Sequence, residues 1–282
     1  MSARNRPCQC GSGKRFKHCC GALDRPSPSP AAPPTRETQD SAVYNEIGYY
    51  LEPHRGRGMA SFVTDEPPGQ AAALDWAPPG FLVIDEFLDA ATCEEWRNFF
   101  DRQQTAPAMV QDTGRRNPDG SPAYKRDEQR ITEFVPMGRY EPEIKQALMR
   151  AFRQVIAPHF GREFDWMSKP GVLKYRAGGL YNGHADSEYW DGAQRRWTRS
   201  MDRDYSLLLY INDDYEGGTL YFPNFDVRLT PAAGMLVAFP SDHRYLHAAE
   251  PLISGERYAV VCWGSIKGSQ RLNPVPAGAT NL

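Results

Sequence analysis

From Gly80 onward the apolar and polar positions fall into regular periods. Phe81-Leu82-Val83-Ile84 is an unbroken apolar run and predicts a short buried strand. Asp89 or Thr92 can then cap a helix, with Thr92 and Glu95 at capping-box spacing. Cys93, Trp96 and Phe100 recur at i, i+3 and i+7, with Phe99 beside them, giving that helix one apolar face. A second helix is marked by Ile144, Ala147, Leu148, Ala151, Phe152, Val155 and Ile156. Pro142 sits near its first turn and Gly161 lies past its end. Two one-sided helices must cover something apolar, most simply one face of a sheet.

After Lys169 the period shortens to that of strands. Val172–Tyr175, Tyr205–Ile211, Thr219–Phe222, Val227–Leu229, Met235–Phe239 and Tyr258–Trp263 are short apolar runs. Turn signals such as Asn212-Asp213-Asp214 and Glu216-Gly217-Gly218 separate them. The expected fold class is mainly β, a sandwich or barrel with the helices as a flanking layer. The boundaries are a main domain over 80–268 and a C-terminal tail over 269–282. No internal repeat is present.

Upstream of Gly80 the pattern fades. Residues 41–79 include Tyr44, Tyr49 and Tyr50 but hold no sustained period. Arg25 to Arg36 is proline-rich and reads, within 23–40, as an extended linker. Residues 5–22 are a compact Cys/Lys/Gly segment. Composition is that of an ordinary globular chain, 40% hydrophobic and 24% charged, and with a net charge of −2 nothing points to wholesale nucleic-acid or membrane binding, so neither DNA nor a membrane is expected as partner. The charge is unevenly spread: residues 1–40 are net basic and the rest net acidic. No apolar run has the length of a secretory core or a membrane span. With cysteines clustered rather than distributed, the expectation is reduced thiols in a cytoplasm.

Candidate chemistry now narrows the picture. His184-Ala185-Asp186 places an imidazole and a carboxylate two residues apart, which on a strand means the same face. His247 supplies a third donor. Two His and one carboxylate hold one face of an iron(II) ion and leave the positions that a chelating 2-oxo acid and O2 require. Arg257 enters the next apolar strand and suits the distal carboxylate of 2-oxoglutarate through two parallel hydrogen bonds. Taken singly, each residue is as readily a surface pair, a structural histidine or a surface charge. Their combination within short strands is what carries weight.

Leu173 through Asp186, Leu208 through Asn212, Gly217 through Phe222, Pro231 through Pro240 and His247 through Trp263 together resemble the catalytic domain of prolyl 4-hydroxylases in the 2-oxoglutarate/iron(II) oxygenase superfamily. That resemblance implies a double-stranded β-helix (a cupin-like jelly roll) with the metal inside one open end. It implies catalysis at His184, Asp186 and His247, with 2-oxoglutarate held by Arg257 and by the hydroxyl of Tyr175. The bland alternative for Tyr175 is a core aromatic. The resemblance also implies C–H hydroxylation with release of succinate and CO2, a peptide or protein side chain as substrate, and ascorbate as an accessory. Collagen-type members carry Lys where this chain has Arg257, which loosens the tie to proline. The long Trp- and Arg-rich stretch Ser187–Arg203 is either a substrate lid or a solvated loop.

At the N-terminus, Cys8, Cys10, Cys19 and Cys20 around a Gly-containing turn suit a closed tetrahedral Zn2+ site. A segment this short would draw its folding free energy from the metal, roughly 10–16 kcal/mol in comparable peptides. It resembles the SEC-C zinc motif of bacterial proteins, with His18 as the competing fourth ligand. Its basic side chains suit an acidic partner, a ribosome or an acidic protein surface. Two other readings stay open: a hydroxylase of a free amino acid or small natural product, and a non-catalytic metal-binding jelly-roll adaptor.

Overall fold

The computed structural model describes residues 80–118 and 122–282. The zinc-motif cysteines, the proline-rich linker and the 41–79 extension therefore lie outside the described residues.

The first helix spans Ala90–Phe100, and Asp89 rather than Thr92 caps it: the Thr92 amide donates to the Asp89 carboxylate at 2.8 Å. Cys93, Trp96 and Phe100 form its buried face. The second helix runs Glu141–Ala151 and opens into one wider π turn over Phe152–Ile156 before resuming over Ala157–Phe160. Pro158 explains the widening, because it has no N–H to donate and its ring would crowd the preceding turn of a regular α-helix. The buried positions run on through Phe152, Ile156, His159 and Phe160. Gly161 ends the run in the left-handed region at φ 61°.

Two sheets make the body. In the nine-stranded one, the main path is Leu82–Ile84, Leu236–Pro240, Tyr205–Tyr210, Glu256–Ile266, Gly171–Arg176, Glu133–Val135 and Ala106–Pro107. The five-stranded one runs Val227–Leu229, Leu220–Phe222, His247–Ala249, Leu180–His184 and Arg130–Ile131. Strand alternation decides what each face covers. Leu207, Leu209, Tyr258, Val260 and Cys262 point to the helices and pack with Trp96, Ile144, Leu148 and Phe152. Tyr210, Val237, Phe239 and Ala259 point the other way and meet Leu220, Phe222 and Leu229 of the smaller sheet. Two sheets closed face to face, with helices on the outside of one, make a jelly roll.

Gly264 marks the closest approach of helix to sheet. A Cβ there would stand 2.5 Å from the Phe152 ring and 2.8 Å from Phe164. The strands at Ala106–Pro107, Val110–Arg116, Pro122–Lys125 and Arg130–Ile131 have no counterpart in the hydrophobic pattern, being either very short or mostly polar. The tail after Ile266 is not free. Thr280–Asn281 pairs with Phe164–Met167, and the Leu272 and Asn273 amides donate to the Asp202 carboxylate. Among the described residues no helix is long and apolar enough to cross a membrane.

Candidate metal centre

His184 ends the strand Leu180–His184 and His247 begins the strand His247–Ala249. In the antiparallel register these two are direct partners, which is why their rings lie 4.3 Å apart between centroids. Asp186 is not on the strand: it lies in the bend that follows, and the bend turns its carboxylate back toward both imidazoles. His184 Nε2 is 3.5 Å from Asp186 Oδ1, and His247 Nε2 is 3.7 Å from Asp186 Oδ2. One donor atom from each residue fits within a span of 4.8 Å.

The surroundings fix the tautomers. Nδ1 of His184 donates to the Asn182 carbonyl at 2.8 Å, and Nδ1 of His247 to the Tyr245 carbonyl at 3.1 Å. Both Nε2 atoms are then left with lone pairs aimed at the carboxylate, the arrangement of metal-ligating histidines. Burial pushes His247 down to about 4, with His184 adding to the shift. The ring is therefore neutral, as a ligand must be. Burial alone would raise the Asp186 carboxyl. His247, His184 and Arg203 outweigh it and hold the group well below the usual carboxylate range. Ser206 donates to Asp186 Oδ2 at 2.7 Å and meets Ser241 at 2.8 Å, so the carboxylate cannot swing away.

Arg257 lies deeper in the same cavity, which measures about 1090 Å3. It is 2% exposed and stands beside Tyr175 across the sheet, with its guanidinium carbon 4.0 Å from the Tyr175 ring centre. Gly217 and Gly218, at φ 79° and 65°, turn the Gly218 carbonyl onto its Nη1. Its Nε has no hydrogen-bond partner. An orphaned donor on a buried cation is costly unless an anion comes to meet it. Burial raises the Tyr210 phenol nearby, keeping it a neutral hydroxyl.

The stretch after Asp186 is an ordered hairpin, Glu188–Asp191 with Arg196–Arg199, rather than a loose loop. Trp190 and Trp197 meet edge to face across it, and Trp197 stacks on His243 at 5.3 Å. Glu188 accepts from His243 Nδ1 at 2.7 Å, so the hairpin is tied to the turn that leads into His247.

Five residues in or beside the cavity escaped the pattern. Ser206 and Tyr210 share the inner face with Leu208 by simple alternation, so that signal was present. Arg203 lies 3.6 Å from the Trp263 ring centre and donates to the Asp186 carbonyl. Tyr181 stacks on His184 at 3.6 Å, and Arg130 is 4.8 Å from the Tyr181 ring centre. Arg130 gave no signal at all, because its strand has two residues.

Comparison with known proteins places this geometry. Residues 170–265 match the model of the 2OG-Fe(II) oxygenase superfamily, and all three clustered residues and Arg257 lie within the match. This segment is a 2OG-Fe(II) oxygenase domain. Residues 4–22 match the SEC-C motif. The chain is 38% identical over 66 residues to prolyl 3-hydroxylase 2 of Rattus norvegicus, a match spanning 22% of this chain and 9% of that protein. A putative prolyl 4-hydroxylase of Acanthamoeba polyphaga mimivirus is 29% identical over 144 residues, 48% of this chain and 57% of the viral one. The chain thus spans less than two thirds of the length of these relatives. Among solved structures, a Pseudomonas putida prolyl-4-hydroxylase superposes with a TM-score of 0.48 at 22% identity, covering 67% of this chain and 94% of that one. A prolyl hydroxylase of Trichoplax adhaerens, in complex with a hypoxia inducible factor peptide fragment, gives 0.49 at 22% identity over 66% and 83%.

Proposed function

We propose that the chain is a 2-oxoglutarate- and Fe(II)-dependent dioxygenase that hydroxylates an unactivated C–H on a peptide or protein side chain. The observation that carries this is the pairing, in one cavity, of a His184–Asp186–His247 cluster with a buried Arg257 whose Nε lacks a partner. The donor set fits iron(II): two neutral imidazole Nε2 atoms and one carboxylate oxygen, all on one side. The orphaned guanidinium fits the distal carboxylate of 2-oxoglutarate. Bound together, iron and 2-oxoglutarate would activate O2, converting the oxo acid to succinate and CO2 while the second oxygen atom enters the substrate C–H.

What the chain's own residues do follows from their places. Asn182 and Tyr245 carbonyls hold the imidazoles in the ligating tautomer. Ser206 holds the carboxylate in register. Arg257 orients the co-substrate, with the Tyr175 and Tyr210 rings flanking its guanidinium. Leu173, Leu208 and Val261 keep the deep end dry, where the positioning interactions are strongest. The prolyl hydroxylases among the relatives support a prolyl residue as the first substrate to try. In the SEC-C segment, Cys8, Cys10, Cys19 and Cys20 are the zinc ligands we infer, with a ribosome or an acidic protein as docking partner, ascorbate as an accessory reductant and the cytoplasm as the compartment.

Anaerobic titration with iron(II) and 2-oxoglutarate tests the reading. The expected result is a weak visible charge-transfer band, absent in His184→Ala. Its absence from the wild-type chain at saturating iron and 2-oxoglutarate would sink the proposal and favour a non-catalytic adaptor.

A further inference from the structure

Arg257 is the buried cation of the cavity, and two half-buried ones, Arg130 and Arg203, also line it. Arg203 sits between the Trp263 ring and the Asp186 carbonyl, and one of its nitrogens is taken by that carbonyl. Arg130 lies over Tyr181, which in turn stacks on His184, and its buried Nε has no partner. Neither guanidinium forms a salt bridge with any carboxylate among the described residues. The nearest acid, Asp186, belongs to the metal cluster. Burial lowers Arg203, the Asp186 carboxylate opposes that shift, and the positive charge of Arg130 adds to it.

Charge counting makes the arrangement informative. Should the proposed centre be filled, iron(II) with Asp186 and dianionic 2-oxoglutarate with Arg257 balance one another. Arg130 and Arg203 then remain uncompensated in a half-enclosed cavity. Two like charges lining one half-buried cavity without a counterion favour an anion that joins them. Guanidinium is also the side chain whose flat fork fits carboxylate bidentately. Tyr181 reports the same crowding, since both guanidiniums act on its phenol.

We infer that the substrate carries a carboxylate, which Arg130 and Arg203 clasp beside the metal cluster, so that the oxidised carbon belongs to an acidic residue, its neighbour or a free C-terminus. This deepens the dioxygenase reading and rests on it for the chemistry, though not for the binding. Arg130 is the specificity-determining residue. Arg203 is less easily separated from the cluster because it also holds the Asp186 backbone.

The test is selection of a randomised octapeptide library, with phosphoserine among its building blocks, on the immobilised full chain in the presence of Mn(II) and 2-oxoglutarate. No turnover is needed. The expected outcome is enrichment of Asp, Glu or a free C-terminal carboxylate over Asn, Gln and the C-terminal amide, with amide counterparts binding about tenfold or more weakly. Arg130→Gln should erase that difference and leave the affinity for amides unchanged. Arg130→Glu should turn the preference toward Lys and Arg. Release of the retained peptides by millimolar free glutamate or proline would name a free amino acid as the source of the carboxylate, and their retention would name a peptide; both support the clasp. Equal binding of acids and amides, enrichment of neutral or phosphorylated peptides, or no enrichment would overturn it. Succinate formation with Fe(II), O2 and the selected peptides is measured separately. Its failure alongside an acidic selection would sink the oxygenase reading and spare the clasp.

Discussion

At the scale of single residues, the centre depends on contacts the sequence shows only in part. His184, Asp186, His247 and Arg257 were legible because residue type and spacing were enough to suggest them. What spacing cannot show is that His184 and His247 are partners across paired strands, since sixty-two residues separate them and the register shifts between His247 and Ala249. Ser206 was half legible: alternation places it on the inner face with Leu208, but nothing in the sequence says that it meets the Asp186 carboxylate. Two expectations belong here. His184→Ala should lower bound iron in metal analysis to background and abolish succinate production. Arg257→Gln should raise KM for 2-oxoglutarate by about tenfold to a hundredfold, the effect of losing a charge-assisted hydrogen bond, with iron content unchanged. A variant that kept wild-type KM would remove Arg257 from the co-substrate site.

At the scale of elements, both helices could be read from periodicity, and their partner, the outer face of the large sheet, from simple necessity. The π turn at Phe152–Ile156 could not, because an added residue in one turn leaves the apolar spacing nearly intact. The hairpin after Asp186 was equally opaque: its strands are four residues each and polar. Packing predictions follow from the same elements. Ile144 is fully buried against the sheet, so Ile144→Ala should cost about 2–5 kcal/mol in denaturant unfolding. Gly264→Ala should cost about 1–3 kcal/mol, because two aromatic rings must shift to admit the methyl group. His159 adds a pH term. Burial lowers it from the ordinary histidine value of 6.5, so below that pH the unfolded chain binds a proton the native one refuses. Stability should therefore fall as pH drops through 6.5, and His159→Phe should flatten that limb of the curve.

At the scale of the whole molecule, the jelly roll works as a frame that brings distant sequence to one end. The tail takes part in that frame. Asp202 and Asp204 flank Arg203. Asp202 receives the Leu272 and Asn273 amides, and Asp204 receives the Ile266 amide and the Ser269 hydroxyl. The composition and charge of the chain gave no hint of this, because backbone donors leave no trace in a sequence. Deleting residues 269–282 should leave secondary structure intact by circular dichroism while weakening substrate binding more than 2-oxoglutarate binding. Equal weakening of both would show that the tail supports the fold rather than the segment around Arg203.

The facing of His184 and His247 across two strands also bears on how the protein is made. A slip of one residue in that pairing would turn one imidazole to the opposite side of its sheet while sparing most of the apolar core. Such a molecule would be soluble, compact and inert. For recombinant material, then, occupancy of the iron pocket is a better measure of correct assembly than solubility or melting behaviour.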